Sequence, residues 1–195
     1  IGPDDIVFQA GSEIYLLNLE SNKVNKVNID VVTDKSTLKP RKIDVAKHIR
    51  SASISPKGKR VLIEARGEVF SVPVENGYTK NLTQSSGSAE RYPVYSPNGK
   101  NYVYWSDESG EYQLILRNTQ DETEKIVLTD FESGYHYQPY WSPDSKNLVF
   151  IDNNMDIMLY NIAKRKLSQI DHCNWKMHPE LKRFSVDWSA EIGRA

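Results

Sequence analysis

An all-β fold, a partial β-propeller of four-stranded antiparallel blades whose array is not closed within this chain, is predicted by three observations. First, a five-residue phrase recurs as Ser55-Pro56-Lys57-Gly58-Lys59, Ser96-Pro97-Asn98-Gly99-Lys100 and Ser142-Pro143-Asp144-Ser145-Lys146, with starts 41 and 46 residues apart. A self-similar period of this length is that of propeller blades. Second, each phrase runs into a short stretch of branched and aromatic residues. Third, every repeat holds a second turn and two further β-type segments. A fourth copy opens at Trp188-Ser189, 47 residues after Ser142, and then gives way to Ala190-Glu191-Ile192-Gly193-Arg194-Ala195. The array is therefore expected to break off inside a repeat.

Within a repeat, the Ser-Pro phrase reads as a turn, because proline presets φ and Gly58, Gly99 or Ser145 stands where the backbone needs freedom. The next strand is almost continuously apolar, as in Val61-Leu62-Ile63, Tyr102-Val103-Tyr104-Trp105 and Leu148-Val149-Phe150-Ile151, which predicts burial on both faces. Turns at Arg66-Gly67, Glu108-Ser109-Gly110 and Asn153-Asn154 lead into third strands over residues 68–72, 112–116 and 156–160. Outer strands close the units at residues 79–83, 124–128 and 166–170. The N-terminus fits the template from its second strand onward, with Ile6-Val7-Phe8, residues 13–17 and residues 25–29. The expected organisation is an incomplete last blade of a preceding propeller over residues 1–30, a connector over 31–47, and three blades plus the first strand of a fourth over 48–195.

The chain has 195 residues, 38% of them hydrophobic, enough to bury a core. Lys plus Arg number 25 against 26 Asp plus Glu, so no global field favours nucleic acid or an anionic membrane. No apolar run approaches the ~20 residues of a spanning helix, and neither nucleic acid nor membrane is expected as a partner. Cys173 is the single cysteine, which excludes a disulfide framework.

Catalytic and metal chemistry find little support. The four histidines, His48, His136, His172 and His178, come without a Gly-x-Ser-x-Gly elbow, and in a repeat fold they are expected at loop mouths or on blade surfaces. His172-Cys173 with His178 matches no closed tetrahedral ligand set. Asp152-Asn153-Asn154-Met155-Asp156 lacks the glycine and distal Glu of a calcium loop and reads as turn chemistry. Asn81-Leu82-Thr83 is a glycosylation sequon that equally fits an outer-strand ending. No catalytic residue, metal or cofactor is assigned.

The constellation with chemical content is positional. The residues five places before each aligned serine, Arg50, Arg91, Tyr137 and Phe184, with Glu90, His136 and Arg183 beside them, should ring the mouth of a propeller channel. Arginine can hold a peptide carboxylate in a bidentate pair and the aromatics supply apolar contact, so such a ring can steer peptides. The alternative is that Arg50 and Arg91 pair with Glu64 or Glu90 and fix blade packing. Tyr92, Tyr95, Tyr140, Trp141 and Trp188 are expected in the core.

The aromatic-Ser-Pro-turn-Lys phrase resembles the WD40-like repeat of TolB-type and peptidase-associated propellers. The stretch from Ile49 through Phe70, with Lys80-Asn81-Leu82-Thr83, Glu90-Arg91-Tyr92-Pro93 and Tyr104 through Tyr112, is similar to the start of the second propeller in tricorn proteases. That family consists of large serine peptidases in which two propellers precede a catalytic region containing a PDZ domain. The resemblance implies a non-catalytic propeller segment guiding or filtering oligopeptides toward a distant active site. It also implies a cytoplasmic setting, with a periplasmic one as the alternative. A TolB-like scaffold propeller without peptidase activity is the competing reading, and the cap of a prolyl oligopeptidase type enzyme a third. Open blade edges predict self-association.

Overall fold

The computed structural model describes residues 4–30, 43–85, 87–121, 123–173 and 186–189. The chain forms two compact units, Ile1–Ile43 and Asp44–Ala195. In the first, β1 (Asp5–Ala10), β2 (Glu13–Asn18) and β3 (Val24–Val27) make an antiparallel sheet in that order. Phe8 faces Tyr15 across β1 and β2, and the rings stack at 5.5 Å, a cross-strand aromatic pair that helps set the register.

The second unit holds three four-stranded antiparallel sheets in sequential order. The first contains β4 (Ile49–Ile54), β5 (Arg60–Ala65), β6 (Glu68–Pro73) and β7 (Lys80–Asn81); the second, β8 (Glu90–Tyr95), β9 (Asn101–Ser106), β10 (Gln113–Asn118) and β11 (Lys125–Val127). The third contains β12 (Tyr140–Trp141), β13 (Asn147–Ile151), β14 (Asp156–Asn161) and β15 (Lys166–His172). Each sheet is one predicted blade.

The repeated phrase makes the same turn three times. Gly58, Gly99 and Ser145 donate their N–H to the carbonyls of Ser55, Ser96 and Ser142, each at 2.8 Å, and all three have positive φ. The serine is needed as well as the proline. Its hydroxyl oxygen accepts the N–H of Arg60, Asn101 or Asn147 at 3.1, 3.0 and 2.9 Å, sealing the mouth of the hairpin. At the next connection Arg66 and Gly67 both have positive φ, the type I′ geometry whose twist matches a two-residue hairpin.

Burial follows the propeller logic. On β9, Tyr102 and Tyr104 face the cluster that contains Leu62 and Val69 of the preceding sheet. Val103 and Trp105 face the cluster with Trp141, Leu148 and Phe150 of the following sheet. One strand thus supplies both inter-sheet cores, which is why its sequence is apolar at every position rather than alternating. Indole N–H groups cross between sheets, from Trp105 to the Tyr137 carbonyl at 3.0 Å and from Trp141 to the Val94 carbonyl at 3.3 Å.

The first strand expected for a fourth blade falls mostly outside the described residues; of it only residues 186–189 are described, and these are not in a strand. One expectation changes. His136 lies neither at a loop mouth nor on a surface: it is 5% exposed, stacked on Trp105 at 4.5 Å and against Phe131 at 4.3 Å, because its neutral ring fills the inter-sheet wedge as an aromatic would.

Candidate functional site

A cleft of about 710 Å³ opens where the first strands of the three sheets begin, among Arg50, Glu64, Arg91, Tyr135, Tyr137 and Tyr140. Irregularities in the ladders shape it. The pairing of β4 with β5 shifts between Ile49 and Ser51, which makes Arg50 the extra residue. The pairing of β8 with β9 shifts between Arg91 and Val94. Tyr92 there adopts φ 52°, a left-handed conformation that costs a tyrosine energy and is held only by its surroundings. Bulges at strand ends re-aim side chains. Here they turn consecutive blades' residues into one cavity.

Glu64 ties the cleft to the interior. Its side chain is 3% exposed, and Oε2 accepts the Ser51 hydroxyl at 2.6 Å and the Tyr92 N–H at 3.1 Å. The second bond anchors the strained residue of the next sheet. The Tyr92 and Tyr135 hydroxyls lie 2.9 Å apart, and Arg91 donates to the Tyr135 hydroxyl at 3.3 Å. The Arg91 guanidinium also sits 5.6 Å from the Tyr112 ring centre and 5.7 Å from that of Tyr135, a cation–π setting. Tyr135 is placed by its N–H bond to Asn153 Oδ1 at 3.2 Å. The preceding Gly134 passes so close that a Cβ would lie 2.9 Å from the same oxygen.

The charged groups at this cleft are Arg50, Arg91 and the carboxylate of Glu64, whose Oε2 is taken up by Ser51 and Tyr92. Burial pushes the phenols of Tyr92, Tyr112 and Tyr140 above their ordinary range, so they stay neutral hydrogen-bonding groups. Neither arginine is within ion-pair distance of a carboxyl group among the described residues, and Arg50 makes no hydrogen bond to any of them. Glu64 is occupied by Ser51 and Tyr92, and Glu90 by Ser85, Ser88 and Ser106. The packing ion pairs expected as the alternative role for Arg50 and Arg91 are not formed.

The chain is 25% identical over 186 residues to a tricorn protease homolog of Saccharolobus solfataricus, covering 92% of this chain and 17% of that protein. The sequence is thus similar to a tricorn protease homolog along nearly its whole length. A putative tricorn-like protease C-terminal subunit of Sulfurisphaera tokodaii is 23% identical over 92% of this chain and 21% of its own length. Dipeptidyl-peptidase 5 of Porphyromonas gingivalis is 28% identical over 64% of this chain and 20% of its own. The chain spans about a fifth of the length of these relatives. No protein-family model matches it. Among solved structures, TolB from Acinetobacter baumannii superposes with a TM-score of 0.53 at 19% identity, covering 85% of this chain and 39% of that one. A putative TolB from Agrobacterium tumefaciens gives 0.55 at 18%, covering 87% and 58%. These likenesses establish the fold, an all-β partial propeller.

Of the ring expected from the common offset within the repeats, Arg50, Arg91 and Tyr137 line this one cleft, while Arg183 and Phe184 lie outside the described residues. Glu90 and His136 are 1% and 5% exposed and point into the blades, because the residue next in a strand faces the opposite side. Tyr92 and Tyr140, expected in the core, are half-buried and contribute to the cleft wall. Tyr135 falls outside the offset rule that predicts the ring; its signal in the sequence is the spacing of three tyrosines, Tyr135, Tyr137 and Tyr140, before the third Ser-Pro phrase. Among the described residues no group of His, Cys, Asp and Glu could hold a metal, and the His172 ring instead meets Asp156 Oδ1 at 2.7 Å.

Proposed function

We propose that this chain is a non-catalytic propeller segment of a tricorn-like serine peptidase, and that the cleft at Arg50, Arg91 and Tyr137 holds short peptides on their way to a distant active site. One observation carries the reading: two arginines from successive blades enter one aromatic-walled cavity without a carboxyl partner among the described residues. A guanidinium that forms no ion pair with the nearby Glu64, whose Oε2 is occupied by Ser51 and Tyr92, and that is set against neutral phenols suits a carboxylate arriving from outside. The tyrosine faces suit peptide side chains of mixed character, which a guide for varied oligopeptides requires. In this reading residues 1–30 close one propeller, residues 31–47 connect, and residues 48–195 open the next. Ile54, 69% exposed at the end of β4, supports pairing of that blade with a second copy in solution. Sedimentation of a clean monomer at high micromolar concentration would remove that part of the proposal.

The test is affinity for tetrapeptides with a free or an amidated C-terminus, measured by calorimetry on this chain and on its Arg50→Ala/Arg91→Ala variant. The free acid should bind at least about tenfold more tightly than the amide, and the preference should vanish in the variant. Equal affinities for acid and amide in the parent chain would sink the reading.

A further inference from the structure

A second cleft, of about 740 Å³, lies at the other end of β4 and β8, between the first two sheets of the larger unit. Its walls come from two of the Ser-Pro turns and from the chain around Tyr78 and residues 118–120. Lys57, Lys59, Arg60, Lys80 and Lys100 line it, and among the described residues that form its wall there is no Asp or Glu. In a chain of net charge −1, Lys57, Lys59, Arg60 and Lys100 gathered in one cavity are a concentrated positive field.

The field is built into the fold at Arg60. Its Nε donates to the hydroxyl of Ser71 at 2.6 Å, and Nη2 to the carbonyls of Ser71 and Tyr78 at 2.9 and 3.2 Å. Ser71 is 5% exposed. The guanidinium is therefore positioned entirely by uncharged acceptors, which orient it without cancelling its charge. The opposite wall is also held: the Thr119 N–H donates to the Lys100 carbonyl at 2.9 Å, and its hydroxyl lies 2.9 Å from the carbonyls of both Gly99 and Lys100, between which its one proton is shared. A Cβ added at Gly99 would lie 3.7 Å from the Pro56 ring, so the two turns run close together. Tyr78, Tyr95 and Tyr102 line the same cavity, Tyr78 exposed and Tyr102 buried. Tyr95 and Tyr102 meet edge to face at 6.2 Å.

We propose that this cleft binds a small organic phosphate, its phosphate groups held by Arg60 and the turn lysines and its planar body set against the tyrosines. The size is that of a small-molecule site. Lysine ammonium groups serve phosphate as movable point charges while one fixed guanidinium sets the register. An acidic peptide would use the same charge but not the tyrosine rings.

Titration calorimetry of this chain at low salt with adenosine triphosphate, tripolyphosphate and hexaglutamate separates these cases. Adenosine triphosphate should bind with micromolar to sub-millimolar affinity, more tightly than tripolyphosphate, and hexaglutamate should compete poorly. Lys57→Gln/Lys59→Gln/Lys100→Gln, which changes only exposed side chains, should weaken the nucleotide by about tenfold or more. Arg60→Lys should weaken it further with an unchanged circular dichroism spectrum. Arg50→Ala/Arg91→Ala should bind it as the parent does. Absence of binding at millimolar nucleotide, equal affinity in the folded triple variant, or hexaglutamate binding more tightly than nucleotide would each overturn the proposal.

Discussion

The two clefts of the larger unit occupy opposite ends of the same strands and are made by different means. The one at the strand starts rests on buried polar groups: Glu64, 3% exposed, bonds across to the next sheet, and His136, 5% exposed, backs the loop that carries Tyr135 and Tyr137. The one at the Ser-Pro turns takes most of its charge from exposed lysines on a repeated turn. The first is continuous with the interior and the second is laid on it, so substitutions should affect stability and binding together in one and separately in the other.

The largest effect should come from Glu64→Ala. It leaves the Tyr92 N–H and the Ser51 hydroxyl without their acceptor in a buried setting, at a cost of about 3 kcal/mol, and should abolish peptide binding as well. Denaturant unfolding reads the first and calorimetry the second. By contrast, Lys57→Gln/Lys59→Gln/Lys100→Gln should move stability by no more than about 0.5 kcal/mol. A large loss there would erase the distinction between the clefts.

Next in size is an acid limb in the stability profile. Burial lowers the His136 pKa to about 4, against an unfolded value near 6.5. Between those values the unfolded chain binds the extra proton, so stability falls as pH drops through that window, by up to roughly 3 kcal/mol. His136→Phe, which keeps a ring in the stack, should flatten this limb. An unchanged acid limb in that variant would contradict the role given to the buried imidazole.

Much of this was legible before any coordinates. The Ser-Pro turns, the doubly buried strand at Tyr102-Val103-Tyr104-Trp105 and the order of strands follow from local rules of turn chemistry and side-chain periodicity. The convergence of Arg50, Arg91 and Tyr137 follows from their common offset within a repeat. What escaped depends on contacts between repeats. The period places Glu90 and His136 next to the ring, yet they turn inward, since neighbouring strand positions face opposite ways and the hydroxyls of Ser85, Ser88 and Ser106 wait on that side. The bulge at Tyr92 has no local signature because its positive φ is held by Glu64 from 28 residues away. The turn-end cleft was invisible for the same reason: Arg60 and Lys100 are unremarkable until two blades abut.

Smaller effects should follow in the first cleft. Arg91→Ala should weaken binding of a free-acid tetrapeptide by about tenfold while costing less than about 1 kcal/mol of stability. Tyr92→Phe, which removes the 2.9 Å contact with the Tyr135 hydroxyl, should cost about 1 kcal/mol. If it were instead to match the loss of Glu64→Ala, the anchoring role assigned to Glu64 would belong to the tyrosine pair.

The most direct measurement is a nuclear magnetic resonance titration of the isotopically labelled chain with a free-acid tetrapeptide. The account predicts saturable shifts at the Arg50 and Arg91 side chains and at the Tyr92 and Tyr137 amides, with Lys59 and Lys100 unmoved. Shifts confined to the turn-end residues, or none at any concentration, would contradict it.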